Sequence, residues 1–194
     1  MSLRSVLLVM LSKAPNTGYG IGRLLRDELS HLWGARLQQI YSELARLDSE
    51  GLVHVESVAL ANRPAKKVYS LTRSGERSLD GWLADEPAPV AAKDELLVRL
   101  FCLERLPAEL AVRRLLERRE ACEQEAAVLR TKVADTRGAS REELGRRLTL
   151  EAALGRAEQQ AAWCERALAL LDEDTDSAEA GRPEQASRLH AAGG

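Results

Sequence analysis

Residues 17–69 read TGYGIGRLLRDELSHLWGARLQQIYSELARLDSEGLVHVESVALANRPAKKVY. Thr17 can cap a helix whose Ile21, Leu24, Leu25 and Leu29 share one face while Arg23, Arg26, Asp27 and Glu28 stay in water, and that pattern is lost between Ser30 and Gly34. A second helical pattern runs from about Arg36 to Ser49 with Ile40, Leu44 and Leu47 inward. Gly51 follows it where a left-handed cap is accessible because glycine has no Cβ. Val53, Val55 and Val58, then Val68, Tyr69 and Leu71, form two β-prone runs, and Asn62, Arg63 and Pro64 between them predict a turn in a loop longer than two residues. Upstream, Leu3, Val6, Leu7, Met10, Leu11 and Ala14 recur at helical spacing behind Ser2 and stop at Pro15-Asn16. Downstream, Thr72 opens a helix bearing Leu79, Trp82 and Leu83. Helix, turn, helix and basic hairpin in this order predict a winged helix-turn-helix, which lays one helix in the major groove and a strand-loop-strand wing on the backbone.

The outer face of the second helix is polar and weakly charged. Gln38, Gln39 and Ser42 are candidate base readers, because glutamine amides pair with base edges and neighbouring hydroxyls and arginines, Arg46 among them, meet phosphates. Tyr41, one step from Ile40, has two readings: its ring completes the edge of the core, or its hydroxyl holds a phosphate. Arg63, Lys66 and Lys67 gather positive charge on the hairpin, and each phosphate they neutralise adds a salt-dependent, sequence-blind increment to binding. The implied partner is double-stranded DNA. A small positive excess in the first 85 residues is outweighed by acidic residues further on, giving a net charge of -2 and a pI near 6.0. A groove responds to the local face, so this acidity weighs little against a nucleic-acid partner.

Near Pro87-Ala88-Pro89 the character of the chain changes. Three regions are expected: a DNA-binding winged helix-turn-helix over 1–85, a helical dimerisation domain over 90–172, and a tail over 173–194 without fixed structure. The fold class is mainly α with a small β-wing. Asp94 to Leu106 has helical spacing, and Pro107 suits the first position of a long helix reaching about Ala134. Thr136-Arg137-Gly138 breaks the pattern before a second long helix ending near Leu171. Two such helices have more apolar stripe than a domain of this size can bury, which predicts a homodimer with Leu110, Leu115, Leu129, Leu148, Leu154, Ala161 and Leu168 at the seam.

No enzyme is visible. His31, His54 and His190 share no ligand spacing with one another or with Cys102, Cys122 and Cys164, so neither a metal nor another cofactor is implied. The glycines at 18, 20 and 22 lack the preceding strand and phosphate lysine of a nucleotide loop. The three cysteines sit in apolar helical patterns, as small buried hydrophobes do. No run of 18 apolar residues and no secretory leader pattern occurs, and a reducing cytoplasmic location is expected.

Leu7 to Leu11, Gly18-Tyr19-Gly20-Ile21, Ile40-Tyr41-Ser42-Glu43-Leu44, Leu47 with Gly51-Leu52-Val53, and Lys67-Val68-Tyr69-Ser70-Leu71-Thr72 with Gly75 together resemble the PadR family of bacterial transcriptional regulators. Lys93-Asp94-Glu95-Leu96-Leu97 and Arg99-Leu100-Phe101 resemble the C-terminal helical domain of its longer members. The resemblance covers residues 3 to 171. It implies a dimeric winged-helix repressor released by an effector or stress signal, with Tyr41 on the recognition helix near the DNA backbone and Lys66 and Lys67 on the wing. The family commonly approaches its Ile-Tyr pair through Pro-Ser-x-Gly and has a proline after the tyrosine. Here Leu37-Gln38-Gln39 and Ser42 stand in that region, so the operator sequence does not transfer. Family effectors include phenolic acids and multidrug-like aromatics. Among Tyr19, Trp33, Trp82, Phe101 and Trp163, the pair Trp82 and Phe101 flank the join between halves and are the candidate effector contacts. The alternative function is a protein-protein adaptor on the same scaffold.

Overall fold

The computed structural model describes residues 2–60, 63–87 and 93–180, which fall into two units, 1–91 and 92–194. The first contains α1 (Leu3–Lys13), β1 (Asn16–Thr17), α2 (Gly18–Glu28), α3 (Leu37–Ser49), β2 (Val53–Leu60), β3 (Arg63–Leu71) and α4 (Arg73–Ala84). The sheet is antiparallel in the order β1-β3-β2. This is the winged helix-turn-helix expected from residues 17–69, with the two-residue β1 as an addition that hydropathy does not signal.

Helices α1, α2 and α4 each begin on a side-chain oxygen that satisfies an otherwise unpaired backbone N–H. The Ser5 N–H donates to Ser2 Oγ, the Gly20 N–H to Thr17 Oγ1 at 3.0 Å, and the Gly75 N–H to Thr72 Oγ1 at 3.1 Å. Helix α3 ends on Gly51 at φ 70°, where the Leu52 N–H donates to the Leu47 carbonyl and the Gly51 N–H to the Asp48 carbonyl, both at 2.9 Å. That bonding is a Schellman cap, and its apolar pair, Leu47 and Leu52, lies in the core. Thr72 clamps the turn from the far side, its hydroxyl donating to the Gly51 carbonyl and its N–H to the Leu52 carbonyl. A Cβ on Gly75 would run into that same Leu52 carbonyl, so glycine lets α4 close over the end of α3.

Leu7 and Leu8 of α1, Ile21 and Leu25 of α2, and Ile40, Leu44 and Leu47 of α3 are the fully buried large side chains of this unit, covered by Val53, Tyr69 and Leu79. At about 1.5–3 kcal/mol for each fully buried leucine or isoleucine, this cluster sets the tilt of α3. β2 and β3 pair from Val53↔Leu71 outward to Leu60↔Arg63, with an irregularity between Val58 and Leu60. The hairpin is thus longer than the valine runs suggested, and Arg63 and Pro64 belong to β3, not to a loop; Asn62 lies outside the described residues. Ladder pairing carried the strands past the point where β-propensity ended.

The second unit contains α5 (Glu95–Phe101), a 3-10 turn (Leu103–Arg105), α6 (Ala108–Asp135) and α7 (Arg141–Ala180). The helix expected over Asp94–Leu106 is shorter, and Pro107 caps α6 through its carbonyl instead of opening the helix. Helix α7 continues to Ala180, so the expectation of no fixed structure from 173 is wrong as far as 180; residues 181–194 are outside the described region. Apolar spacing lapses after Leu171, but hydrogen bonding propagates a helix beyond its last packed turn. α6 and α7 form a hairpin with one apolar cluster of Ala126, Leu129, Leu150, Ala153 and Ala157 and another of Leu96, Leu115 and Cys164. Asp94 caps α5 at the Leu96 N–H and receives two Arg118 hydrogen bonds, 2.8 and 3.1 Å, that tie α5 to α6. The Arg118 guanidinium holds the Asp94 carboxyl below its ordinary pKa, and Asp94 in turn raises that of Arg118.

Candidate nucleic-acid interface

Helix α3 has its apolar side fully enclosed and Gln38, Tyr41, Ser42 and Arg46 exposed on the outside. Glycines on α2 bring it close. A Cβ on Gly18 would collide with the Tyr41 ring, and one on Gly22 would stand 3.0 Å from Leu37 Cδ1 and 3.4 Å from Ile40 Cδ1. Glycine at both positions, one helical turn apart, lets α2 and α3 meet face to face. The 18/20/22 patch thus has a packing role that reading it only for phosphate chemistry missed; the spacing of four was the available signal.

The Tyr41 ring rests over Gly18, as the first of its two readings expects, while the residue stays 44% exposed. Tyr69 is buried, and desolvation raises the pKa of its phenol, with the Asp48 carboxylate adding to the rise. Gln39 turns back on the start of its own helix. Its Oε1 accepts the Arg36 N–H at 2.9 Å, so the side-chain oxygen caps α3 at its third position, a role the sequence reading did not give it. Arg46 donates to Glu50 at 3.1 Å, and Glu50 also pairs with Arg4 of α1. The hydrogen bond from Arg4, followed by Arg46, draws the Glu50 carboxyl below its ordinary pKa and links α1 to the end of the outer helix.

Lys66 and Lys67 are both exposed, yet adjacent strand residues point to opposite faces. Lys67, opposite Ser57, shares its face with Tyr69 and Leu71; Lys66, opposite Val58, shares the other with Val68 and Ser70. They are two separate charges on a ribbon, not one loop cluster. The Arg63 backbone continues β3 beyond them.

The other expected positions divide similarly. Trp82 packs against the first unit's core and Phe101 of the second is 88% exposed; neither lines the hollow formed by Leu11, Pro15, Ser70, Leu71 and Leu79 nor that formed by Val112, Leu116, Leu168 and Leu171. Leu115, Leu129 and Ala161, expected at a subunit seam, are enclosed within the chain by the α6–α7 hairpin. Leu110, Leu154 and Leu168 are partly exposed and Leu148 is 59% exposed. Cys122 and Cys164 are buried, with burial raising both thiol pKa values, whereas Cys102 at the end of α5 is exposed, contrary to the expectation for all three. Among the described residues there is no cluster of metal ligands, and no helix is long and apolar enough to cross a membrane.

A winged helix with a polar outer helix and a basic ribbon, followed by a long helical hairpin, defines a class of DNA-binding regulators. Residues 7–81 match the transcriptional regulator PadR-like family and residues 92–172 the C-terminal domain described as virulence activator alpha. The negative transcriptional regulator PadR of Bacillus subtilis is 31% identical over 179 residues, spanning 89% of this chain and 98% of that protein. The crystal structure of B. subtilis PadR in complex with operator DNA superposes with a TM-score of 0.78 at 28% identity, over 87% of this chain and 98% of the other. Its complex with p-coumaric acid gives 0.73 at 28% identity, over 88% and 98%. The chain belongs to the PadR family, in its longer form with a C-terminal helical extension, and is a DNA-binding transcriptional regulator. The adaptor alternative thereby loses its ground.

Proposed function

We propose that this regulator acts as a homodimeric repressor in the cytoplasm, binds an inverted-repeat operator near its own or an adjacent gene, and is released by a small-molecule effector. The observation that carries the reading is the exposed polar face of α3, set on a fully buried apolar side and seated over α2 by Gly18 and Gly22. Gln38 and Ser42 are the base readers in this reading, Tyr41 and Arg46 meet the backbone, and Arg63, Lys66 and Lys67 follow the flanking phosphates. Exposed apolar side chains on the helical unit support a second copy, and two winged units related by a twofold read two half-sites. The name of the B. subtilis relative supports repression, and its p-coumaric acid complex makes phenolic acids the first effector class to try. Release requires that the effector bind the DNA-incompetent arrangement more tightly.

Fluorescence anisotropy against the gene's own upstream DNA and a scrambled duplex, across a salt series, tests the reading. Tight, selective binding of one dimer per site is expected, and replacing both Lys66 and Lys67 with Ala should flatten the log-log salt slope by about 2 per winged unit while leaving selectivity intact. Equal, weak binding to both duplexes at low salt would reject the proposed operator.

A further inference from the structure

Helix α5 buries Leu96 against Leu115 and Cys164 but turns Leu97, Val98 and Phe101 outward, 46%, 69% and 88% exposed. A phenylalanine this open at the end of a short helix belongs to none of the apolar clusters of the described residues. The same unit has an unfilled concavity elsewhere on its surface: Val112 and Leu116 of α6 with Leu168 and Leu171 of α7 line a hollow of about 330 Å³, room enough for a phenyl ring. Leu116, on the lining, is 40% exposed.

We infer that Phe101 of one protomer seats in the Val112–Leu116–Leu168–Leu171 hollow of a second copy, and that the twofold returns the same contact. The inference rests on the homodimer reading and names its anchor. A second copy is the occupant for two reasons. Protrusion and recess lie on the same chain and are both apolar, so a twofold makes them self-complementary and closes the assembly at two subunits. The exposed parts of Leu97, Val98, Phe101 and Leu116 together come to roughly 400 Å², about half of the ~800 Å² per partner that a stable interface removes from water. Phe101 is then a subunit contact and not an effector contact.

The full-length chain with Phe101→benzoylphenylalanine, irradiated and mapped by mass spectrometry, tests the seat directly, and sedimentation of Phe101→Glu tests its weight. The expected results are a covalent dimer linked from position 101 to a peptide of α6 or α7 lining the hollow, and a dimer dissociation constant raised roughly 1,000-fold, about 30-fold at each of two anchors. Because Phe101 is already in solvent in the single chain, the circular dichroism of Phe101→Glu should match the parent. A parent dimer that survives Phe101→Glu, or a cross-link only within one chain or to another surface, would overturn the anchor while leaving the homodimer standing. A parent chain that sediments as a monomer at all concentrations would overturn both.

Discussion

The two units of this chain handle their apolar residues differently. In the first, α1, α2 and α3 enclose Leu7, Leu8, Ile21, Leu25, Ile40, Leu44 and Leu47 completely and give the outside of α3 to glutamine, serine and arginine. In the second, the α6–α7 hairpin closes over Leu115 and Leu129 but leaves Leu97, Val98, Phe101, Val128, Leu144, Leu148 and Leu170 in water. One unit closes a single core within the chain and presents a polar outer helix face, with Tyr19, Leu32, Leu37, Tyr41 and Leu83 as its exposed large apolar side chains. The other is incomplete, and its remaining apolar surface suits a second protein surface. Under the proposed function, specificity for DNA and assembly with another subunit fall to different chemistries in different halves of the sequence.

The largest effect should separate these halves by concentration. Leu44→Ala removes a fully enclosed side chain from beneath α3, and the loss should be about 3–4 kcal/mol in urea unfolding of the first unit, the same at every protein concentration. Leu148→Ala, at a position 59% exposed in the single chain, should have an effect that appears only where the dimer forms and vanishes on dilution. If Leu44→Ala proved as concentration-dependent as Leu148→Ala, the first unit would not be self-contained and the contrast would fail.

A smaller effect lies inside the second unit, where one ion pair orders the helix that carries Phe101. Asp94 and Arg118 are only 22% and 33% exposed and share two hydrogen bonds, so Asp94→Ala should cost about 1–2 kcal/mol after allowance for solvent screening. The Asp94 pKa is lower folded than unfolded. Its contribution is therefore complete above the ordinary aspartate range and fades as the pH falls through the depressed folded value. Thermal melts from pH 6 to pH 2 should show the parent losing its advantage over Asp94→Ala in that acid interval. A constant gap across the whole range would mean that the pair contributes packing and not charge.

Legibility in the sequence followed the same division. Helical periodicity, Thr17, Thr72 and Gly51 located the first unit's elements because caps and left-handed turns are local requirements that particular residue types meet. The outer face of α3 was readable for the same reason. Three features were not. The strand Asn16–Thr17 exists only because β3 offers it a partner, so two residues of local sequence cannot announce it. The separation of Lys66 from Lys67 onto opposite faces depends on β3 extending to Arg63, and a basic pair in a presumed loop contains no face information. In the helical unit, a stripe of leucines gives the amount of apolar surface but not which neighbour covers each part, so Leu115, Leu129 and Ala161 were assigned to the wrong partner.

The smallest expected effect concerns two adjacent glutamines. Gln38 and Gln39 have the same chemistry and are both exposed, but Gln39 Oε1 holds the Arg36 N–H and so fixes where α3 begins. Gln39→Ala should lower stability by only about 0.5–1 kcal/mol, the usual weight of an exposed cap, and weaken binding to every operator variant by a similar factor because the whole helix end loosens. Gln39→Glu should keep the melting temperature, since a carboxylate accepts the same N–H and suits the positive end of the helix, while lowering affinity for all duplexes through repulsion of phosphates. Gln38→Ala should leave the melting temperature unchanged and instead relax the preference at one base pair of each half-site. Melting curves combined with binding to a panel of single-base operator variants separate the two. Should Gln39→Ala change the preferred base while the melt stays where it was, the cap assignment would be wrong, and Gln39 would join Gln38 among the base readers.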